Sequence, residues 1–164
     1  MLAVRKERYN QKLNELKDRV VFLESHLSWK EEFLSNRVLK KAVYKEFQEA
    51  AEIISDIIAM IVKDCNFSVE DDYKNIEIVS NFINIESIKN ELKSINGLRN
   101  ILVHPYGCES KMGYEVVHSI VVGNGVRGGG QRINDSLAYD SITSFLPAIK
   151  KFITLVEEWL RKRF

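Results

Sequence analysis

From about Val4 to Phe33 the chain holds no proline and no glycine, and its apolar residues fall along one helical stripe. Leu13, Leu16, Val20, Leu23 and Leu27 recur at alternating spacings of three and four, while charged residues fill the other face. That pattern commits the first part of the chain to a long amphipathic helix, whose apolar stripe must be covered by other elements.

Leu34-Ser35-Asn36 supplies capping residues, and a second helix is predicted to run to about Asp64. Its apolar residues include Val43, Phe47, Ala50, Ala51, Ile54, Ile57, Ile58 and Ile61, an arc that widens until little but Glu52 and Asp56 interrupts it. A helix apolar on most sides is central, or it packs against a second subunit. Asp56 in that setting is expected to be partnered or to border a cavity, because an unpaired buried carboxylate is costly.

Residues 65–72 read as an acidic turn and Tyr73 to Phe82 as a short helix or an ambiguous segment. A further helix is predicted over Ile85 to Val103, with Ile88, Leu92, Ile95, Leu98 and Leu102 on one face. Gly97 inside it costs about 1 kcal/mol relative to alanine and implies close packing. Pro105 ends this helix, since the residue before a proline disfavours the α conformation. The stretch from 107 to about 134 is glycine-rich, and Tyr114 to Val122 is rich in β-branched residues, which predicts an inserted β-hairpin or extended flap turning at Asn124-Gly125. A last helix is expected from about Asp135 to Arg163, kinked or broken at Pro147, with Arg161, Lys162 and Arg163 matching its C-terminal dipole. The fold class is therefore all-α with an inserted flap, in one domain spanning 1–164.

The 164 residues carry a formal net charge of +1, so there is no bulk basic field for nucleic acid and any such binding needs a local patch. Cys65 and Cys108 lie far apart and match no metal-binding spacing. No signal peptide is read at the N-terminus, and the most apolar run, Ile53 to Val62, is too short to span a bilayer. A cytoplasmic protein with no membrane association is expected.

The chemistry concentrates at Gly97-Leu98-Arg99-Asn100-Ile101-Leu102-Val103-His104-Pro105-Tyr106. On a helix Asn100 and His104 are i and i+4 and share a face, so the amide can orient the imidazole. Arg99 lies about 140° from His104 around the axis, so the two flank a groove. Imidazole exchanges protons near neutrality, and guanidinium holds a phosphate through paired hydrogen bonds. The pair suits phosphodiester cleavage by a neighbouring hydroxyl, with His104 handling protons and Arg99 stabilising charge on the phosphorus oxygens. One histidine cannot easily be both base and acid, and a symmetric dimer placing two copies of His104 together would supply both. Spacing alone also allows a plainer role, a histidine favourably placed at a helix C-terminus.

The string Arg99-Asn100-x-x-x-His104-x-Tyr106 resembles the Arg-x4-His-x-Tyr signature of HEPN-domain toxins of the HEPN–MNT type, the HepT-like ribonucleases. In that family a polar residue, often asparagine, follows the arginine. The likeness extends to Arg37–Val43 leading into Ala51–Ile58, similar to the family's second helix, and to the final helix. The resemblance implies an antiparallel up-and-down helical bundle that dimerises, with the arginine–histidine site at the dimer interface. It implies a metal-independent endoribonuclease acting on RNA, with Arg99 and His104 catalytic, Asn100 and Tyr106 supporting, and no cofactor or metal. It also implies a partner antitoxin, a minimal nucleotidyltransferase (MNT), that can adenylylate the motif tyrosine, here Tyr106. Asp56 is the candidate auxiliary residue at the border of the site. The chain departs from the family in the long stretch between Tyr106 and the last helix, which raises the alternative of a non-catalytic module that scaffolds a nucleotidyltransferase or binds nucleotide or RNA.

Other signals are weaker. Gly123-Asn124-Gly125-Val126-Arg127-Gly128 matches GxGxxG but lacks the βαβ surroundings of a dinucleotide site, and a flexible turn is the expectation. His26 and His118 are read as structural or surface residues. Arg127 and Arg132 are read as solvated hairpin charges, with RNA phosphates as the rival partner.

Overall fold

A computed structural model describes residues 2–103 and 134–164. The inserted hairpin expected over 107–134 lies outside the described residues except for Asn134, and so do His104, Tyr106, Cys108, His118, Arg127 and Arg132. Among the described residues the chain forms six α-helices and no strand: α1 (Leu2–His26), α2 (Lys30–Ser35), α3 (Arg37–Asp64), α4 (Asp72–Ser80), α5 (Lys89–Val103) and α6 (Asp135–Arg163), with a 3-10 turn at Glu86–Ile88 before α5. The all-α bundle expected from the sequence is what forms.

The first helix ends earlier than its apolar stripe suggests. Ser25 Oγ donates to the Val21 carbonyl, the His26 ring bonds the Phe22 carbonyl, and Ser28 Oγ donates to the Glu24 carbonyl. These side chains satisfy the last carbonyls of α1, and buried Tyr139 of α6 donates its hydroxyl to the Leu27 carbonyl. Trp29 is extended, and the short helix α2 then turns Phe33 into the core against the rings of Tyr44 and Tyr139. A single helix from Val4 to Phe33 is therefore corrected to two, because local side-chain bonds and a long-range one both end α1 at His26.

Each later boundary has a side-chain cause. The Asn36 Oδ1 accepts from the Leu39 N–H at 3.0 Å and starts α3, and Asn134 does the same for Leu137 at 2.8 Å at the start of α6. At the end of α3, Asn66 adopts φ 64°, and the N–H groups of Asn66 and Phe67 bond the carbonyls of Lys63 and Val62. This is a Schellman ending with asparagine in the left-handed position that glycine usually takes. Pro147 lies within α6 without ending it. It removes the bond to the Thr143 carbonyl, but both residues are exposed, so water can take that carbonyl.

Cross-helix pairs fix the directions. Along α1, Tyr9, Lys12 and Arg19 meet Asp64, Asp56 and Glu46 of α3, so the two helices are antiparallel. Lys17 meets Glu157 at 2.6 Å and Glu24 meets Lys150, so α6 is also antiparallel to α1. Helix α3 is the centre of the bundle, packed by α1, α2, α4 and α5, and its wide apolar arc is buried within this one chain. Asp56 is not part of that buried arc: it is exposed and pairs with Lys12 at 2.8 Å. Among the described residues no helix is long and apolar enough to cross a membrane.

Candidate active site

Helix α5 carries the first half of the polar motif. Leu92, Ile95 and Leu98 anchor it in the core, and Gly97 is buried where the helix packs closely, as its sequence position implies. The helix continues to Val103, two residues before Pro105. This leaves Arg99 and Asn100 half-buried near the C-terminal end.

The Arg99 guanidinium has two anchors. Nε and Nη2 both donate to the Asn100 Oδ1, at 3.3 and 3.0 Å, and Nη2 also donates to the Asp72 Oδ2 at 3.2 Å. Asp72 opens α4, so the arginine is tied across two elements. The sequence expectation paired Asn100 with His104. In the structure the amide oxygen is engaged by Arg99, and position 104 lies outside the described residues.

A second polar contact extends this face inward. Asn96, one turn before Asn100, is 2 % exposed, and its Oδ1 accepts from Ser55 Oγ of α3 at 3.1 Å. The stretch of α3 that resembles the family's second helix thus meets α5 through Ser55, while the adjacent Asp56 points to Lys12. Asp72, Asn96 and Ser55 were not among the residues singled out from the sequence. Asn96 had a usable signal: it precedes Arg99 by three and Asn100 by four, so all three share one helical face. Asp72 had none, because its proximity to Arg99 depends on how α4 folds back on α5.

The α4–α5 seam is reinforced by charge. Glu77 accepts from Lys89 at 3.2 Å and from Lys93, and hydrogen bonds from Lys93 and then Lys89 hold its carboxyl below the usual carboxylate range. Among the described residues no group of three or more His, Cys, Asp or Glu side chains is placed to hold a metal ion.

Comparison with known proteins places the chain in a family. The model of the HepT-like ribonuclease family, described as "Ribonuclease HepT-like", matches residues 10–120. The chain belongs to the HepT-like ribonuclease family. The match takes in α1 from Asn10 onward, the helices through α5, and the Arg99–Tyr106 motif. A protein of Archaeoglobus fulgidus named "Putative RNase" is 36% identical over 104 residues, which cover 63% of this chain and 74% of that protein. A second "Putative RNase" from the same organism is 29% identical over 160 residues, covering 97% of this chain and 98% of the relative. The stretch between Tyr106 and α6 falls inside that second aligned span. A further relative from Methanocaldococcus jannaschii, also named as an RNase, is 38% identical over 71 residues, 43% of this chain and 82% of its own. No solved structure gives a significant match.

Proposed function

We propose that this HepT-like chain is the toxin of a toxin–antitoxin pair, a metal-independent endoribonuclease that works as a homodimer. The observation that carries the reading is the half-buried Arg99 guanidinium, held by Asn100 and Asp72 at the end of α5 in a chain of this family. A guanidinium fixed before substrate arrives is suited to hold a scissile phosphate and to stabilise the charge that grows on it.

In this reading the ribose 2′-hydroxyl attacks the adjacent phosphorus, and the leaving 5′-oxygen takes a proton. His104 is the general acid or base, and the partner protomer's copy of the same imidazole supplies the complementary role at the dimer interface. Asn100 holds Arg99, and Tyr106, two residues after the histidine in sequence, is a supporting group. The antitoxin partner is a minimal nucleotidyltransferase that adenylylates Tyr106, placing a phosphate where the substrate's would bind and so blocking the site.

The experiment is cleavage of single-stranded RNA in EDTA. Wild type should cleave, and Arg99→Ala and His104→Ala should each lose at least about 100-fold in rate while melting as wild type does. Wild-type cleavage by either variant would overturn the assignment of roles.

A further inference from the structure

The geometry points to Asp72 as a positioning residue for that same reaction, an inference that rests on Arg99 being the phosphate-binding group. With Asn100 it aims the guanidinium, and its negative charge opposes an incoming phosphate.

A lone arginine near a helix end is a poor catalytic group, because its long side chain samples many rotamers that binding must then freeze. Asn100 cannot fix it alone, since it is the next residue on the same helix. Asp72 comes from a different element, so its contact defines where in the fold the guanidinium points.

The surroundings of Asp72 suit that task. The capping of α4 falls to its neighbour, Asp71, whose carboxylate accepts from the Lys74 N–H at 3.0 Å. Asp72 is thereby left for Arg99. The turn that carries it is rigid: buried Asn75 bonds both the N–H and the carbonyl of Glu70, at 2.9 and 2.8 Å. Further along, Glu77 clamps α4 to Lys89 and Lys93 of α5. Helix α4 thus acts as a strut that holds a carboxylate against the arginine. Among the described residues these three bonds use Nε and Nη2, and Nη1 is the end of the fork they leave for a phosphate oxygen.

Two effects follow from the Asp72 charge, with opposite signs for binding and turnover. Its negative charge opposes a phosphate at Arg99, so removing it should not weaken RNA binding. Its contact aims Arg99, so removing it should slow the chemical step. A half-exposed ion pair with only a structural role would move neither quantity in a folded protein.

The test compares wild type, Asp72→Ala, Asp72→Asn and Arg99→Ala. Turnover is measured on a fluorescent single-stranded RNA in EDTA, and affinity on a non-cleavable 2′-O-methyl oligonucleotide of the same sequence. Asp72→Ala should lower kcat by about 10-fold or more and bind the oligonucleotide as tightly as wild type or tighter. Asp72→Asn keeps an oxygen acceptor without the charge, and should regain part of the lost turnover; it also serves if the alanine variant does not fold. Wild-type kcat in both Asp72 variants, with Arg99→Ala inactive, would overturn the role of Asp72 alone. Parallel loss of binding and turnover in Asp72→Asn would do the same. Wild-type cleavage by Arg99→Ala would overturn this inference together with the reading of the site.

Discussion

Ser55 and Asp56 are neighbours on α3, yet one meets the polar face of α5 and the other lies in solvent beside Lys12. A step of one residue turns a helix by about 100°, enough to move a side chain from the α5 seam to the outer surface. The sequence drew attention to the carboxylate because it interrupts an apolar run, and the interruption marks the edge of the buried arc. Arg99 and Asn100 could be read from their spacing and family likeness. Asp72 could not, because nothing local to 65–72 reveals which later residue it will meet. Asp135 illustrates the same limit and gives a test. The Tyr44 hydroxyl donates to it at 2.5 Å and Lys40 at 2.9 Å, which holds its carboxyl below the ordinary value of 3.8. A folded value below the unfolded one gives stability above the unfolded value, and that stability is lost as pH falls through the folded one. Tyr44→Phe should therefore melt below wild type at pH 7, with the gap closing as pH falls under 3.8, followed by circular dichroism.

At the scale of elements, periodicity located the helices well and their ends less well. The expected starts of α3 and α6 agree with the structure: Asn36, read as a capping residue from the sequence, caps α3, and Asn134 caps α6. Asn36→Ala should cost about 1 kcal/mol in chemical denaturation, since it leaves the Leu39 N–H without its acceptor. The end of α1 was not legible, because it depends on Tyr139 reaching the Leu27 carbonyl from the far end of the sequence. Pro147 was expected to kink or break α6. The helix runs through it, its neighbours Leu146, Ala148 and Ile149 being buried while Pro147 itself faces solvent. Pro147→Ala should raise the melting temperature, because it restores the bond to Thr143 without touching the core.

Across the whole molecule, the N-terminus of α1 and the C-termini of α3 and α6 converge on Asp64. Its carboxylate accepts from Tyr9 at 2.9 Å and pairs with Arg5, its backbone carbonyl accepts from Arg163, and Arg163 lies over the Trp159 ring at 5.2 Å. Burial pushes the Tyr9 hydroxyl well above its ordinary range, so it remains a donor to Asp64. Asp64→Ala would strand that buried hydroxyl and should cost about 1–3 kcal/mol, read as a lower denaturation midpoint. The breadth of the α3 apolar arc suggested either a central helix or a subunit interface, and periodicity cannot separate the two. The structure makes α3 central, since Val43, Phe47, Ala50, Ala51, Ile54, Ile57, Ile58 and Ile61 are all buried within one chain.

In the proposed mechanism Arg99 acts on the scissile phosphate as a fork anchored by Asn100 and Asp72. The most direct test is the rate of RNA cleavage in EDTA by Arg99→Lys. Lysine keeps the charge but cannot span both anchors and the phosphate, so a loss of at least about 10-fold in kcat is expected. Cleavage by Arg99→Lys at the wild-type rate would contradict it.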